Sequence, residues 1–435
     1  MILDLLSLPG DKSKITLDTR ERHDSYMSAN RAGGLLPGGL LRCVEGQEPE
    51  HVMGRVTLQT IADRVGVSRM TVSNAFSRPD QLSARLRDHI LAVADELGYV
   101  GPDPTARALA SGTAGAVGLL LSDTLPYALT DEVAMQFMAG IADELGSSGL
   151  ALTLLSAAPR DGVVQARDVA MDGALVYSCD PDSSAVSWLM RRRLPLVFVD
   201  QAPAPGIPSV NVDDRPGAQA AARHLVGLGH RRIAIVTVGY GGETGILANP
   251  LDSTVAHAER QRMLGWLEAL AEADIEPIVV RQRHADPQDN GYDAMQAILE
   301  AGGEATGILC FSDAIAGGVI HALRDAGLRV PDDVSVIGFD DNPIARRMQP
   351  ALTTVRQDAQ GKGRAAAAAL ISAITNPGAR PARRGRHVVL PTELIIRDST
   401  APPPTAQPII TRRRATTRPS STADRLVPVT GTLHA

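Results

Sequence analysis

Residues 56–79, VTLQTIADRVGVSRMTVSNAFSRP, contain two helix patterns separated by a glycine. Apolar residues of the first pattern recur at i, i+3, i+4 and i+7, the spacing of one helix stripe, and they are Leu58, Ile61, Ala62 and Val65. Thr57 is the predicted N-cap of this helix. Gly66 can take the left-handed conformation that ends it, and Ser68 caps the next helix. The stretch therefore predicts two helices set at a steep angle.

The second helix has two different faces. Val72 and Ala75 point toward the first helix, while an outward arc of about 140° carries Arg69, Met70, Ser73 and Asn74. A third pattern begins at Ser83 and completes a compact three-helix unit.

The outward arc suits contacts with a DNA duplex. Arginine can bind both major-groove acceptors of guanine, asparagine can do the same for adenine, and Met70 can lie against a thymine methyl group. Thr71 and Ser73 suit contacts to phosphates or base edges. The alternative is that any small three-helix domain has an exposed polar face, so the pattern needs support from elsewhere in the chain.

The segment that follows, DPTARALASG at residues 103–112, supplies that support. Asp103 is a suitable N-cap, Pro104 a suitable first helical residue and Gly112 a suitable stop. A helix of two turns is too short to be stable alone, so we expect it to form against a second copy of itself and DNA. Leu109 would then be a wedge between base steps in the minor groove. The alternative is a flexible linker whose Leu109 packs on the next domain.

Composition limits the class of protein. The chain has 435 residues, 44% of them hydrophobic, which is enough for two or three domains with a sizeable core. The net charge of −6 neither supports nor excludes DNA binding. Three cysteines without CxxC spacing indicate a reducing compartment and no structural metal. We find no secretory signal and no run of about 20 apolar residues, so we expect a cytoplasmic protein without a membrane span.

The chain divides into five predicted parts. Residues 1–52 are a disordered extension, 53–100 the helical unit, 101–113 the linker helix, 114–399 a larger domain and 400–435 a disordered tail. The true start lies at Met1 or near Met53. In the larger domain apolar strand patterns alternate with amphipathic helices, which predicts parallel sheets covered on both faces. Lysine occurs only at Lys12, Lys14 and Lys362, a bias that we attribute to the base composition of the genome.

Several predicted strands end in small or acidic residues. In open α/β sheets ligands bind outside the carboxyl ends of the strands, so these residues would ring a crevice. They are Ser122, Asp123, Ser178, Asp180, Asp200, Ser312, Asp313, Asp340 and Asp341. Hydroxyls and carboxylates suit a polyhydroxylated ligand such as a sugar. The alternative is that each aspartate is a turn or helix cap.

The chain resembles the LacI/GalR family of bacterial transcription repressors over residues 56–399. The stretches that carry the resemblance are TLQTIADRVGVSRMTVSNAFSRP, LSARLRDHILAVADELGY, ARAL, HLVGLGHRRIAIV, RQRMLGWLEAL, VPDDVSVIGFDD, PALTTVRQD and LPTELIIRDST. The resemblance implies a homodimer on a palindromic double-stranded DNA operator. The residues it implies at the DNA are Thr57, Ser68, Arg69, Met70, Thr71, Ser73, Asn74, Arg107 and Leu109.

For the larger domain the resemblance implies a fold of periplasmic-binding-protein type, with two lobes joined by three crossings and a small-molecule effector between them. Arg262 of RMLGW and Asp340 of GFDD match the family's effector contacts. Ser312, Asp123 and Tyr127 are further candidates. The predicted function is a repressor whose affinity for its operator is controlled by a carbohydrate or related metabolite.

No catalytic motif is visible, so we expect no enzyme activity, no cofactor and no metal. The glycine-rich GYGGETG at residues 239–245 lacks the lysine and spacing of a phosphate-binding loop and is interpreted as a mobile loop near the crevice. We expect Trp266, His224 and His230 to pack and cap rather than bind. Two alternatives are a regulator controlled by a protein partner and a sugar-binding protein or enzyme without a DNA role.

Overall fold

The computed structural model describes residues 56–122, 124–157, 164–238, 244–251, 256–282, 287–376 and 386–405. The predicted extension at 1–52 and most of the predicted tail, from 406 onward, lie outside these residues. The chain separates into two compact units, one ending at Gly101 and the other beginning at Pro102. Within the described residues no helix has both the length and the apolar composition needed to cross a bilayer.

The first unit is a three-helix domain. Its helices are α1 Leu58–Val65, α2 Arg69–Ser77 and α3 Ala84–Glu96, with a 3-10 turn at Pro79–Gln81. The predicted caps are present, because the hydroxyls of Thr57, Ser68 and Ser83 each accept a backbone N–H from three residues ahead. Gly66 has a φ of 77°, the left-handed conformation that a side chain would disfavour. Local hydrogen bonds therefore define both ends of the turn.

The core of this unit is small and apolar. Ile61, Val72 and Ile90, one from each helix, are fully buried and pack together. Phe76 and Tyr99 meet edge to face with ring centroids 5.7 Å apart, which fixes the end of the unit against α2.

The second unit begins with the short helix α4, Pro104–Ser111, capped as the sequence predicts. Asp103 accepts the N–H groups of Thr105 and Ala106, and Gly112 ends the helix with a φ of 71°.

The rest of the second unit alternates helices and strands. The helices are α5 Leu125–Ala128, α6 Glu132–Leu145, α7 Gln165–Asp168, α8 Ser184–Arg192, α9 Asp214–Leu228, α10 His257–Ala271, α11 Pro287–Glu300, α12 Asp313–Asp325, α13 Pro343–Arg347 and α14 Ala359–Thr375. The strands are β1 Ala116–Leu121, β2 Ala151–Ser156, β3 Gly173–Tyr177, β4 Leu196–Val199, β5 Ser209–Val212, β6 Ile233–Val238, β7 Gly245–Ile246, β8 Ile278–Gln282, β9 Gly307–Cys310, β10 Ser335–Asp340, β11 Thr353–Gln357, β12 His387–Leu390 and β13 Thr392–Ile395.

These elements form two lobes, each built on one sheet. Lobe 1 has strand order β12-β5-β4-β3-β1-β2 and is parallel throughout. Lobe 2 has strand order β13-β11-β10-β9-β6-β8-β7. The predicted parallel sheets are confirmed for the interior strands, while the edge strands β13 and β7 pair antiparallel.

The chain crosses between the lobes three times. The crossings lie at Asp213 between β5 and α9, at Asp358 between β11 and α14, and at Pro391 between β12 and β13. This matches the number of crossings that the family resemblance implies.

Helices α6 and α14 cover one face of lobe 1 and approach each other very closely. A Cβ added to Gly140 would lie 2.0 Å from the carbonyl oxygen of Gln360, and one added to Gly363 would lie 2.2 Å from that of Phe137. The two glycines let the backbones touch, so this contact tolerates no side chain at either position.

The end of the larger domain extends beyond the predicted boundary at 399. Thr400 pairs with His224 at 3.0 Å, and the carbonyl of Ala401 accepts hydrogen bonds from His230 at 2.9 Å and Ser335 at 3.0 Å. The prediction that a disordered tail starts at 400 is therefore wrong for these residues, because they satisfy buried polar side chains that lie far away in the sequence. Both histidines pack and cap, as expected.

Candidate functional site

The outward face of α2 presents the residues that the sequence singled out. Met70 is 69% exposed and Arg69 is exposed, while Val72 and Ala75 on the opposite side are buried. Ser73 is half-buried at the edge of the face. Since the apolar side of α2 faces α1 and α3, the exposed side is available to a partner.

Four side chains of the predicted DNA-contact set have internal hydrogen bonds. Ser68 accepts the N–H of Thr71 at 3.0 Å, and their two hydroxyls lie 2.8 Å apart. The amide of Asn74 donates to Gln81 at 3.3 Å, a long contact that another acceptor could replace. Thr57 and Thr60 bond each other's backbone N–H groups as a capping box, so Thr57 has a structural role.

The side chains of α4 are unusually open. Leu109 is 88% exposed and Arg107 is exposed. The sequence alternative in which Leu109 packs on the next domain is therefore not what the structure has. A helix of eight residues is marginal in water by itself, so α4 depends on packing against a partner.

A cavity of about 460 Å³ lies where the carboxyl ends of the two sheets face each other. Lobe 1 contributes Leu121, Ser122, Thr124, Ala128, Asp131, Val133, Ala134, Tyr177, Ser178 and Asp200. Lobe 2 contributes Val238, Ala258, Arg262, Gln282, Pro287, Asn290, Phe311, Ser312, Ala314, Ile315, Asp340, Asn342 and Gln357. The volume and the few convergent polar groups are typical of a small-molecule site.

Arg262 lies at the centre of the polar groups of lobe 2. Its Nε donates to Asp214 Oδ1 at 2.8 Å, and its Nη1 donates to the Phe311 carbonyl at 2.6 Å and lies 3.5 Å from Asp340 Oδ1. The guanidinium also stacks on Phe339 at 3.5 Å from the ring centroid. Packing and three polar contacts hold the guanidinium in a single orientation at the cleft.

Burial changes the acidity of the carboxyls beside Arg262. It raises the pKa of Asp340 to about 7 and that of Asp214 to about 6, and the charge of Arg262 opposes both shifts. Asp340 also accepts the amide of Gln357 at 2.6 Å. A ligand that donates hydrogen bonds here would favour the ionised carboxylates.

Lobe 1 contributes a buried ion pair to the same region. Lys362 of α14 pairs with Asp200 at the end of β4, and their side chains are only 1% and 7% exposed. The ammonium also donates to Gln357 Oε1 at 3.0 Å and lies 5.5 Å from the ring centroid of Tyr177. Gln357 thus joins the lysine of lobe 1 to the Asp340 carboxylate of lobe 2.

Backbone strain concentrates at the cleft. Ser178, Asp200 and Asp340 follow or end strands β3, β4 and β10 with φ values of 51°, 50° and 117°. Such conformations are costly for residues with side chains and occur most often at functional sites. All three side chains belong to the cavity wall.

Two polar atoms of the wall have no hydrogen-bond partner among the described residues. They are Asp200 Oδ1 and Asn342 Oδ1, and the Oδ2 atom of Asp214 behind Arg262 is in the same state. All three are acceptors. An occupant that brings hydrogen-bond donors would satisfy them.

The predicted effector residues are partly brought together. Arg262, Asp340 and Ser312 line the cavity, and Ser312 also caps α12 by accepting the N–H of Ile315 at 3.3 Å. Asp123 and residues 239–243 of the glycine-rich loop lie outside the described residues. Tyr127 lies in the short helix α5 rather than in a loop, and its side chain is outside the described part of the structure.

Three of the predicted strand-end residues do not line the cavity. Asp341 points away from it and bonds Arg356 at 2.8 Å and Arg397. Asp180 is exposed, and Asp313 is buried behind the wall, where it accepts the backbone N–H of Asn342 at 2.9 Å. Trp266 packs in the core of lobe 2, as expected.

Sequence reasoning missed several wall residues and the lysine behind them. Gln357 lies in the PALTTVRQD stretch that carries the resemblance but was given no role there, and Asn342 belongs to no motif. Lys362 did have a signal, since it is the only lysine after residue 14, yet a bias toward arginine explained the rarity of lysine without pointing to this site. Among the described residues no cluster of His, Cys, Asp or Glu could hold a metal ion.

Two family profiles match the chain. Residues 57–101 match the profile described as bacterial regulatory proteins of the lacI family. Residues 222–400 match that of a periplasmic binding protein-like domain.

Individual proteins match over most of the chain. An HTH-type transcriptional regulator of Mycobacterium tuberculosis, Rv3575c, is 37% identical over 80% of this chain and 98% of its own length. The lac repressor dimer bound to operator and the anti-inducer ONPF aligns with a TM-score of 0.65 and 26% identity, over 80% of this chain and 99% of the solved one. The complex of the transcriptional regulator CelR with cellobiose aligns with a TM-score of 0.57 and 26% identity, over 79% of this chain and all of the solved one.

Proposed function

This chain belongs to the LacI family of bacterial regulatory proteins, and we propose that it is a homodimeric repressor that binds a palindromic operator and is controlled by an uncharged carbohydrate. The observation that carries the proposal is the division of α2 into a buried face with Val72 and Ala75 and an exposed face with Arg69 and Met70. Such a helix can enter a major groove without disturbing its own core.

At the DNA, Arg69, Met70 and Asn74 read base edges. Arg69 suits guanine, Asn74 suits adenine after releasing Gln81, and Met70 suits a thymine methyl. The surrounding hydroxyls and amides contact phosphates and set the register. The group comprises Thr57, Ser68, Thr71 and Ser73.

At the centre of the operator, the α4 helices of two protomers lie side by side and insert their paired Leu109 side chains into the minor groove. Arg107 contacts the backbone nearby. This contact would cover Leu109, the most exposed leucine among the described residues, and the cost of the kink would favour a flexible central base step.

The charges of the cleft indicate the kind of effector. Among the described residues, Asp131, Asp200 and Asp340 line it together with one cation, Arg262, while Lys362 lies behind Asp200 as its ion-pair partner, and the unpartnered buried atoms at the wall are acceptors. A phosphate or carboxylate would meet these carboxyls and leave the acceptors unsatisfied. Hydroxyl groups would supply donors at no cost in charge, so a neutral sugar fits best. One solved relative was captured with cellobiose.

Effector binding would act through the two lobes. Because the cavity wall is shared between them, a ligand that fits one relative position of the lobes better than another shifts the population toward that position. Operator affinity changes in proportion to that difference in affinity. Such a protein works in the cytoplasm, on the nucleoid, and needs no catalytic group in its cleft.

The first experiment is selection of bound sites from random duplex DNA with the full chain. It is repeated with Arg69→Ala and with Arg347→Ala, an exposed arginine of lobe 2, as the matched control. We expect a palindrome in which Arg69→Ala lowers the preference at one base of each half-site by about 1–3 kcal/mol, while Arg347→Ala selects the wild-type site. An unenriched pool, with and without sugars, would overturn the DNA-binding proposal.

The second experiment is calorimetry with neutral sugars, cellobiose among them, and with glucose 6-phosphate. We expect a neutral sugar to bind and the phosphate to be rejected. Asp340→Asn should weaken binding roughly tenfold or more, since it removes a charged acceptor. Asp180→Asn, a strand-end carboxylate outside the cavity, should leave the affinity unchanged. Heat from no sugar, together with an operator that still binds, would favour control by a protein partner.

A further inference from the structure

The chain segment between α4 and β1 is held by one carboxylate. Asp172 Oδ1 accepts the N–H of Ala114 at 2.6 Å, and its Oδ2 accepts the N–H of Gly115 at 2.8 Å. The backbone N–H of Asp172 donates in turn to the carbonyl of Ala116 at 2.8 Å. Hydrogen bonds to an ionised carboxylate are short and about twice as strong as neutral ones. Three bonds therefore pin residues 114–116 to the amino end of β3.

On the amino-terminal side of this anchor, Gly112 ends α4 in the left-handed conformation with a φ of 71°. Gly115, which lies inside the anchor, has the same φ, and a Cβ at either position would meet no atom within 4 Å. Ser111 and Thr113 join their hydroxyls at 2.9 Å, a contact that keeps the end of α4 compact. The anchor at Asp172 thus marks the boundary between a pivot and the rigid sheet.

Beyond the anchor, two neighbouring strands lead directly to the cleft. β1 and β3 pair in parallel, with Val117 opposite Gly173 and Leu121 opposite Tyr177. Five paired positions span about 17 Å. At the far end, Leu121, Ser122, Tyr177 and Ser178 belong to the cavity wall. The same two strands therefore connect the anchor of α4 with lobe 1 of the effector site.

We infer that Asp172 is a positioning residue that couples α4 to the cleft. In this role Asp172 holds the chain after α4 against the start of β3. When α4 becomes ordered on DNA, lobe 1 is therefore displaced at the cleft as well. The inference rests on the proposed function, because it requires an operator that orders α4. Without the anchor, α4 would rotate about Gly112 and Gly115, and binding at the DNA and binding at the cleft would no longer be coupled.

Hydrogen exchange of the full chain tests this coupling, with the palindrome selected from random DNA as the probe. In the wild type we expect the operator to change exchange in the cleft ends of β1 and β3, at residues 117–122 and 174–178. In Asp172→Asn the operator still binds at saturation, but this change is lost and exchange at residues 114 and 115 rises. Asp168→Asn, an exposed aspartate four residues earlier paired with Arg167, should behave as the wild type.

Two further variants separate positioning from folding. Asp172→Glu keeps the charge and should retain part of the operator-induced change. If thermal unfolding shows that Asp172→Asn does not fold, Asp172→Ser, which keeps one acceptor without the charge, replaces it. An operator-induced change that survives in the neutral variant, or that is absent from the wild type bound to DNA, overturns the inference. Failure of the wild type to bind any selected DNA instead defeats the proposed function.

Discussion

Lys362 and Asp200 form an ion pair that is almost completely shielded from water, although 162 residues separate them in the sequence. The pair joins α14, which follows the second crossing, to the end of β4 in lobe 1. Gln357 continues the contact to Asp340 in lobe 2. The effector cleft therefore rests on a polar network of four side chains that come from the ends of β4, β10 and β11 and the start of α14.

Breaking this pair should destabilise the chain strongly. Lys362→Met keeps the side-chain length but leaves the Asp200 carboxylate buried without its cation, which costs about 3–5 kcal/mol. The free energy of unfolding in urea measures the loss. Arg364→Met on the same helix is the control, because that side chain is 44% exposed and its removal should cost no more than about 0.5 kcal/mol. A loss below about 1 kcal/mol in Lys362→Met would contradict the prediction.

Two helical glycines should respond in opposite directions to alanine. Gly363→Ala places a methyl group against the backbone of α6, so we expect a loss of about 1–3 kcal/mol or more. Gly227→Ala in α9 meets no atom within 4 Å and should stabilise the chain by about 0.5–1 kcal/mol through helix propensity. Thermal or urea unfolding compares them. Equal effects of the two changes would show that α6 and α14 are less closely packed than described.

The stability of lobe 2 should depend on pH through Glu259. Burial raises the pKa of this carboxyl to about 7, although Arg281 lies 3.0 Å away and opposes the shift. Between the ordinary pKa of a glutamate and 7, the folded chain holds a proton that the unfolded chain has released. The contribution is present at low pH and is lost as pH rises through 7, by at most about 1.4 kcal/mol per pH unit.

Unfolding of the wild type and of Glu259→Gln at pH 5, 6 and 7 measures this effect. The free energy of the wild type relative to the variant should fall as the pH rises. Glu272→Gln is the control, because Glu272 is exposed and its pairing with Arg223 lowers its pKa. The difference in unfolding free energy between the wild type and this variant should therefore not change with pH above 5. If the stability of the wild type relative to Glu259→Gln rises with pH instead, the folded chain prefers the ionised carboxylate.

Leu109 should matter for operator binding and not for folding. Leu109→Ala removes a side chain that is 88% exposed, so the midpoint of unfolding should stay the same. Operator affinity should fall at least tenfold, and replacing the central base step by another sequence should no longer change that affinity. Fluorescence anisotropy with the selected palindrome and a centrally altered one measures both. Val389→Ala, which truncates a 58% exposed valine of β12, should change neither.

The three-helix unit could be predicted almost residue by residue. Its ends depend on contacts across three or four residues, such as Ser68 to Thr71 and Ser83 to Leu86, and on the left-handed Gly66. The buried and exposed faces of α2 follow from helix periodicity alone. These are local properties, so they can be predicted from the sequence alone.

The cleft could be predicted only in part. Arg262 was proposed from the family resemblance alone, whereas Asp340 and Ser312 also follow from their places at strand ends, and all three line the cavity. The assignment of Asp341 to the same crevice is wrong, because its side chain, one residue after Asp340, points toward Arg356 and Arg397. A residue's place at the end of a strand does not decide the face on which its carboxylate lies.

The sequence by itself determined the helix caps, the exposed face of α2, the short α4 and the alternation of helices and strands. Only the tertiary structure decided that Lys362 meets Asp200, that Asp172 holds residues 114–116, and that Thr400 and Ala401 belong to lobe 2. The first group depends on hydrogen bonds and periodicity within one or two turns of chain. The second depends on which buried charges and polar atoms must find a partner once distant strands have paired, and chain order does not specify that choice.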